Sequence, residues 1–244
     1  MYAGSKGFSR IFTESLWVEL RKQEGDGQSS TDATTEAEGV EPMPRLAQDR
    51  EPARPSTANQ RERYDRILLV AARHGRRLDL EQVNMAQIAE ESGVAVGTLY
   101  RYFPTKNHLY AAVLDSYVGS IVVPETAGSA GRDRVAAVTA LMAGAIGSLL
   151  RHPRLARAMI VSANARQASS TVFVSADLHA SILAAAGIED PSDDDRQLAL
   201  LLEQCGYGIV TWAVTKRDSA ERAVRDVTRA CELILAPWQR AAEV

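Results

Sequence analysis

An all-α fold is what this sequence predicts, on three observations. Between residues 60 and 240 the apolar residues recur at intervals of three and four rather than two, the period of one helix face. Gly, Pro and short polar clusters interrupt that pattern often enough to leave a series of helices. No alternating strand pattern and no internal repeat occurs anywhere in the 244 residues.

The elements follow in order. Residues 1–23 carry a partial amphipathic stripe (Phe8, Ile11, Phe12, Leu16, Leu20) and read as a helical extension of unclear role. Residues 24–59 are acidic, Ser/Thr- and Pro-rich and poor in bulky apolar side chains, so they are expected to be a disordered linker. Tyr64, Ile67, Leu68, Ala71 and Ala72 lie at helical spacing and predict a helix over 60–73, ended by Gly75. Asn84 with Gln87 resembles a capping box opening a second helix, which Gly93 ends. A third helix is expected over 96–102, before Pro104, and a fourth from Thr105 to about Val118. The Thr105 cap lacks the usual acid at its third helical position, where His108 stands.

Further on, Val135, Val138, Leu141, Met142, Ile146 and Leu149 mark a fifth helix that stops near Pro153. A shorter one is expected over 153–164 and another over 167–186, closed by Gly187. The acidic run 189–195 suits a helix start, where the dipole favours negative charge. In the helix that follows, one stripe holds Leu198, Leu201, Leu202, Cys205, Ile209 and Trp212, and a second holds Leu200, Tyr207, Val210 and Val214. A helix apolar over most of its circumference must be covered on two sides. Either it pairs with the last helix (219–235) in a four-helix dimer interface, or it is a core helix of a monomer.

Composition narrows the function classes. The net charge of -3 and pI near 5.9 exclude a uniformly basic nucleic-acid coat but not a local basic patch. Cys205 and Cys231 lie far apart in apolar patterns and are expected to be reduced, buried thiols. The four histidines are scattered, so no metal site and no cofactor is expected. No apolar run reaches the roughly 18 residues of a membrane span, and no signal peptide is visible, so a cytoplasmic protein without membrane association is expected.

The most informative stretch is 85–106, MAQIAEESGVAVGTLYRYFPTK. Ile88, Val94 and Leu99 stand where two crossed helices need apolar contacts, Ala89 is small where they approach, and Gly93 sits at the turn. The second helix concentrates Thr98, Tyr100, Arg101 and Tyr102, side chains suited to phosphates and base edges. Lys106 opens the next helix, where its ammonium and the backbone N–H groups can share a phosphate. Tyr100 and Tyr102 are equally consistent with packing, and Thr98 and Lys106 with a solvated surface.

On the motif GVAVGTLYRYFPTKNHL (93–109), residues 60–118, and more loosely the helices to 237, resemble the TetR family of bacterial transcriptional repressors. The resemblance implies an all-helical homodimer with an N-terminal three-helix DNA-binding unit (60–106) and a ligand-binding and dimerisation body (107–240). It places Gly97 and Thr98 against base edges and backbone. Tyr100, Tyr102 and Lys106 fall on phosphates, Asn84 on the backbone, and Arg101 on a base or phosphate. The partners implied are a palindromic double-stranded operator and a small-molecule effector. Together with HPRLARAM (152–159) and TWAVTKR (211–217), the motif is closest in character to the actinobacterial repressors of steroid and cholesterol catabolism. That suggests a small hydrophobic or acyl-CoA-like effector. An apolar set of Leu141, Met142, Ile146, Met159, Ile160, Phe173 and Trp212 is available for it, with Arg151, Arg154, Arg157 and Arg166 for an acidic end. Core packing and solvated arginines account for the same residues.

Tyr2 and Lys6 stand in Y-x-x-x-K spacing and resemble the catalytic helix of short-chain dehydrogenases. That chemistry needs a nucleotide-binding strand-turn-helix with a Gly-rich loop, and no segment here supplies it. The expectation is a fragment or fusion remnant without activity of its own, and a chain that is not an enzyme.

Overall fold

The computed structural model describes residues 52–121, 134–169 and 178–240. The expected N-terminal helix (1–23), the Y-x-x-x-K pair and Phe173 lie outside the described residues. Within them the chain is a series of α-helices: α1 (Ala58–Arg77), α2 (Met85–Glu91), α3 (Val96–Tyr102), α4 (Lys106–Gly119), α5 (Arg134–Leu150), α6 (Pro153–Ser169), α7 (Leu178–Ala185), α8 (Asp193–Lys216), α9 (Ala220–Ile234) and α10 (Ala236–Arg240).

Several boundaries differ from expectation for identifiable reasons. Helix α1 begins at Ala58, capped by Thr57, whose Oγ1 accepts from the Gln60 N–H at 3.3 Å. The expected linker therefore ends earlier, and residues 52–57 are an ordered arm. Helix α1 also runs through Gly75 to Arg77. Gly75 is not a stop but a point of close approach: a Cβ there would lie 2.7 Å from Tyr110 Cε1 and 2.8 Å from Leu155 Cδ1. Helix α6 opens on Pro153, whose missing N–H costs nothing at a first helical position. It continues to Ser169, taking residues expected in the next helix. Gly187, at φ 66°, closes α7 as expected.

Helix α8 is the long apolar helix anticipated above. Ser192 caps it in a reciprocal box with Asp195, and Asp193–Asp195 line its first turn. It ends at Arg217, which takes the left-handed conformation (φ 56°, ψ 40°) that glycine usually fills at helix ends of this kind. By length and composition alone α8 could cross a membrane, with an 18-residue window of mean hydropathy 1.3. It instead packs against α5, α6, α7 and α9. Helix α10 was not anticipated. It buries Trp238, whose indole N–H donates to Asp195 Oδ1 at 2.7 Å and ties the end of the described chain to the start of α8.

One continuous apolar core runs from Ile67 on α1 to Trp238 on α10. Helices α1 and α4 are packed on α6, so the helix-turn-helix is mounted directly on the body. Tyr110 donates from its hydroxyl to the Ala71 carbonyl at 3.0 Å, and Arg154 Nη1 donates to the Arg77 carbonyl at 2.6 Å.

Candidate DNA-binding interface

The helix-turn-helix is α2, the turn 92–95, and α3. Asn84 caps α2, its Oδ1 accepting from Ala86 N–H at 2.8 Å, while Gln87, expected to return the bond, lies exposed. Ile88, Ala89 and Leu99 are fully buried between the crossed helices. At the turn Gly93 has φ 66°, a conformation that penalises any side chain, and Val94 N–H closes the helix end on the Ala89 carbonyl at 3.0 Å. Ser92 is buried there, its Oγ donating to the Ile88 carbonyl at 2.6 Å. His74 on α1 meets Glu91 at 2.8 Å and holds the far end of α2.

Helix α3 has an outward face made of Gly97 and Arg101, both exposed, with Thr98 and Tyr100 half-buried beside them. Gly97 is a helical glycine whose Cβ would meet nothing within 4 Å. Alanine would be more favourable there by helix propensity, and no internal contact forbids it. Among the described residues nothing requires glycine at 97.

Two of the expected outward residues turn inward. Tyr102 is buried, 6% exposed, with its ring edge-on to Tyr64 at a centroid distance of 5.6 Å and near Phe103 at 6.3 Å. Its period along α3 puts it on the face of Leu99, toward α1, so it is first a packing residue. Lys106 folds back: its Nζ donates to the Glu81 carbonyl at 2.9 Å and to the Leu80 carbonyl at 3.4 Å. Burial lowers its pKa, against the opposing pull of Glu81. Lys106 thus clasps the α1–α2 loop to the start of α4, with one of its three N–H groups left for an outside partner.

Thr105 caps α4 as expected, and His108 replaces the missing acid. Thr105 Oγ1 accepts from the His108 N–H at 3.3 Å and lies 2.8 Å from the ring Nδ1. Burial and the charge of Arg166 hold the His108 pKa down, which favours a neutral ring beside the threonine hydroxyl.

Behind this interface lies a charged junction that sequence patterning does not reveal. Asp115 on α4 sits 3.9 Å from Arg166 Nη1 on α6, and burial raises the Asp115 pKa to about 6 despite that cation. Tyr64 on α1 is pushed up to about 12 by burial and by the nearby Asp115 and Asp65, with Arg166 and Arg54 opposing. Ser162 on α6, fully buried, donates to Asn107 Oδ1 on α4 at 3.3 Å.

The residues expected to line an effector site divide. Leu141, Met142, Ile146, Met159 and Ile160 are all buried in the core. Trp212 is not: it is 58% exposed on the outer face of α8, with Lys216 Nζ 5.2 Å above its ring. It lines a surface groove of about 380 Å³ between α8 and α9 with Cys205, Gly208, Ile209 and Arg222. Nor do the arginines converge. Arg154 is spent on the Arg77 carbonyl, Arg166 faces Asp115, Arg157 reaches the Val214 carbonyl at 3.5 Å, and Arg151 bonds Ser148 at 2.8 Å.

Comparison with known proteins accords with this architecture. Residues 67–113 match the model for bacterial regulatory proteins of the tetR family, and residues 131–234 match a tetracyclin repressor-like C-terminal domain. A solved TetR transcriptional regulator from Rhodococcus sp. RHA1 is 33% identical, with TM-score 0.58, over 72% of this chain and 97% of that one. The chain belongs to the TetR family. TetR-family members are DNA-binding regulators rather than enzymes. Among its TetR relatives, the HTH-type transcriptional repressor KstR of Mycolicibacterium smegmatis is 28% identical over 72% of this chain and 88% of its own length. The KstR of Mycobacterium tuberculosis is 29% identical over 72% of this chain and 82% of its own.

Proposed function

We propose that this protein is a TetR-type transcriptional repressor that binds a palindromic double-stranded operator as a homodimer and leaves it when a small hydrophobic effector enters the body. The observation that carries the DNA reading is the outward face of α3, where a glycine the fold does not require stands among Thr98, Tyr100 and Arg101. Gly97 lets backbone approach backbone, Thr98 and Arg101 reach base edges, and Tyr100 donates to a phosphate. Asn84 and the remaining Lys106 N–H flank that face with backbone contacts.

The homodimer is supported by the outer face of α8 and α9. Leu201 (43% exposed), Cys205, Gly208 and Trp212 recur at helical spacing along α8, and Leu233 on α9 is 62% exposed. Gly208, like Gly97, has open space where its Cβ would be. Two recognition helices related by a two-fold axis read half-sites about one helical turn apart or a multiple of it.

The effector acts only through its different affinity for the DNA-competent and released states. Its hydrophobic character is supported by the apolar set Leu141, Met142, Ile146, Met159 and Ile160 inside the body. The four arginines, each engaged elsewhere, give less support to an acyl-CoA headgroup than to an apolar body. Such a regulator works in the cytoplasm. Genomic footprinting of the full chain, followed by gel shift of the protected segment with a sterol and with an acyl-CoA, tests the reading. Sequence-dependent protection released by the sterol is expected. Absence of protected sites overturns the function, and a complex intact with both ligands overturns the effector class.

A further inference from the structure

The residues before α1 form an anchored arm. Pro55 disfavours helix at Arg54, and Pro52 has no N–H to enter one, so the chain runs non-helically until Ser56. Ala53, half-buried against the core, donates its N–H to the Arg101 carbonyl at 3.0 Å. That carbonyl belongs to the last turn of α3, where the helix leaves acceptors without intrahelical partners. The bond therefore ties the arm to the very helix whose outward face carries Gly97, Thr98 and Arg101.

The next residue, Arg54, is exposed. Its Cα is held about 3.8 Å from that of Ala53 by covalent geometry, so its backbone lies beside the end of α3, and its charge acts on Tyr64, whose ring packs edge-on to Tyr102 of α3. Residues 52–61 contain Arg54 and Arg61 and no acid, in a chain of net charge -3. Helix α3 itself is only seven residues long and offers Arg101 as its one cation.

We propose that residues 52–56 are a DNA-binding arm that carries Arg54 to a phosphate flanking the half-site read by α3. The proposal rests on the DNA reading above. An arm already bonded to the recognition helix loses little conformational entropy on binding, which a free tail would lose in full. It also couples the two contacts: displacement of α3 moves Arg54 with it.

The test uses the full chain and the genomic segment it protects in footprinting, prepared as a minimal duplex and as one extended at both flanks. Binding is read by fluorescence anisotropy across a salt series. Wild type is expected to bind the extended duplex more tightly. Arg54→Ala is expected to lower the slope of log K against log salt by about 1 per half-site and to abolish the preference for flanks. Arg54→Lys is expected to keep both. Ala53→Pro, which removes the anchoring N–H, is expected to reproduce the Arg54→Ala result with unchanged helical circular dichroism. A wild-type slope and flank preference in Arg54→Ala overturns the arm while leaving the DNA reading standing. Wild-type protein that binds no duplex overturns both.

Discussion

Gly97→Ala separates what the fold needs from what DNA needs. The added Cβ meets nothing within 4 Å in the free protein. Exchanging glycine for alanine in a helix is worth roughly 0.5–1 kcal/mol. Gly97 is the second residue of α3, near its end, so the lower part of that range is expected. The free protein should therefore be slightly more stable in urea or thermal melts. At the DNA surface the same methyl enters a contact built for bare backbone. Overpacking of a tight contact costs about 1–3 kcal/mol, which is roughly 5- to 150-fold in affinity per half-site, and about the square of that for a dimer if the halves are independent. No charge is lost, so the salt slope should stay at its wild-type value. Anisotropy titration of the footprinted duplex beside urea melts measures both quantities. A variant that is stabilised yet binds with wild-type affinity would refute the argument, since α3 would then approach nothing at residue 97.

Other expectations concern the mounting of that face. Gly75→Ala should destabilise by on the order of 1–2 kcal/mol in urea melts, because its Cβ would strike Tyr110 and Leu155 while Tyr110 is held by its bond to Ala71; a gain in stability would contradict the close approach. Tyr102→Phe should leave both stability and DNA affinity near wild type, whereas Tyr102→Ala should lower the melting temperature sharply by emptying the space beside Tyr64; equal melts for the two would return Tyr102 to the surface. Asp115 has a folded pKa of about 6 against 3.8 for the free side chain, so the folded state holds the proton more tightly. Its contribution is then full below about pH 4 and is lost as pH rises toward 6. Asp115→Asn should raise the melting temperature at pH 7 and remove the fall between those limits, and an unchanged pH profile would exclude this half-buried carboxyl as its source. Trp212→Glu with Leu201→Glu should yield a monomer in light scattering with weakened operator binding, an outcome ruled out if wild type is itself monomeric.

The helix-turn-helix was legible because each of its requirements is local. Gly93, Asn84 and the apolar spacing of Ile88, Ala89 and Leu99 fix two short helices within 20 residues, and all stand where expected. Misreadings came where a residue answers to a distant partner. Gly75 reads as a stop but is a gap that Tyr110 and Leu155 fill from other helices. Tyr102 and Lys106 have partners that the motif does not announce, Tyr64 for the one and two carbonyls in the α1–α2 loop for the other, and neither contact tests their expected role at DNA. Arg217 ends α8 in a left-handed conformation that no glycine announced. The Asp115–Arg166 junction joins residues that no helical period relates. Trp212 has the spacing of a core residue yet is exposed, and periodicity alone does not say which apolar side of a helix the chain itself covers.

The contacts of α1 with α4 and α6 bear on how such a regulator can be taken apart. A cut after Lys106, the boundary that the motif suggests, would strip Tyr110 and Leu155 from Gly75, the Tyr110 hydroxyl from Ala71 and the Arg154 guanidinium from Arg77. The fragment would keep its recognition helix and lose the floor beneath it. Grafting new operator specificity onto another sensor body should therefore carry α4 and the facing turns of α6 along with the reading head. The unit of inheritance here is an interface rather than a stretch of chain.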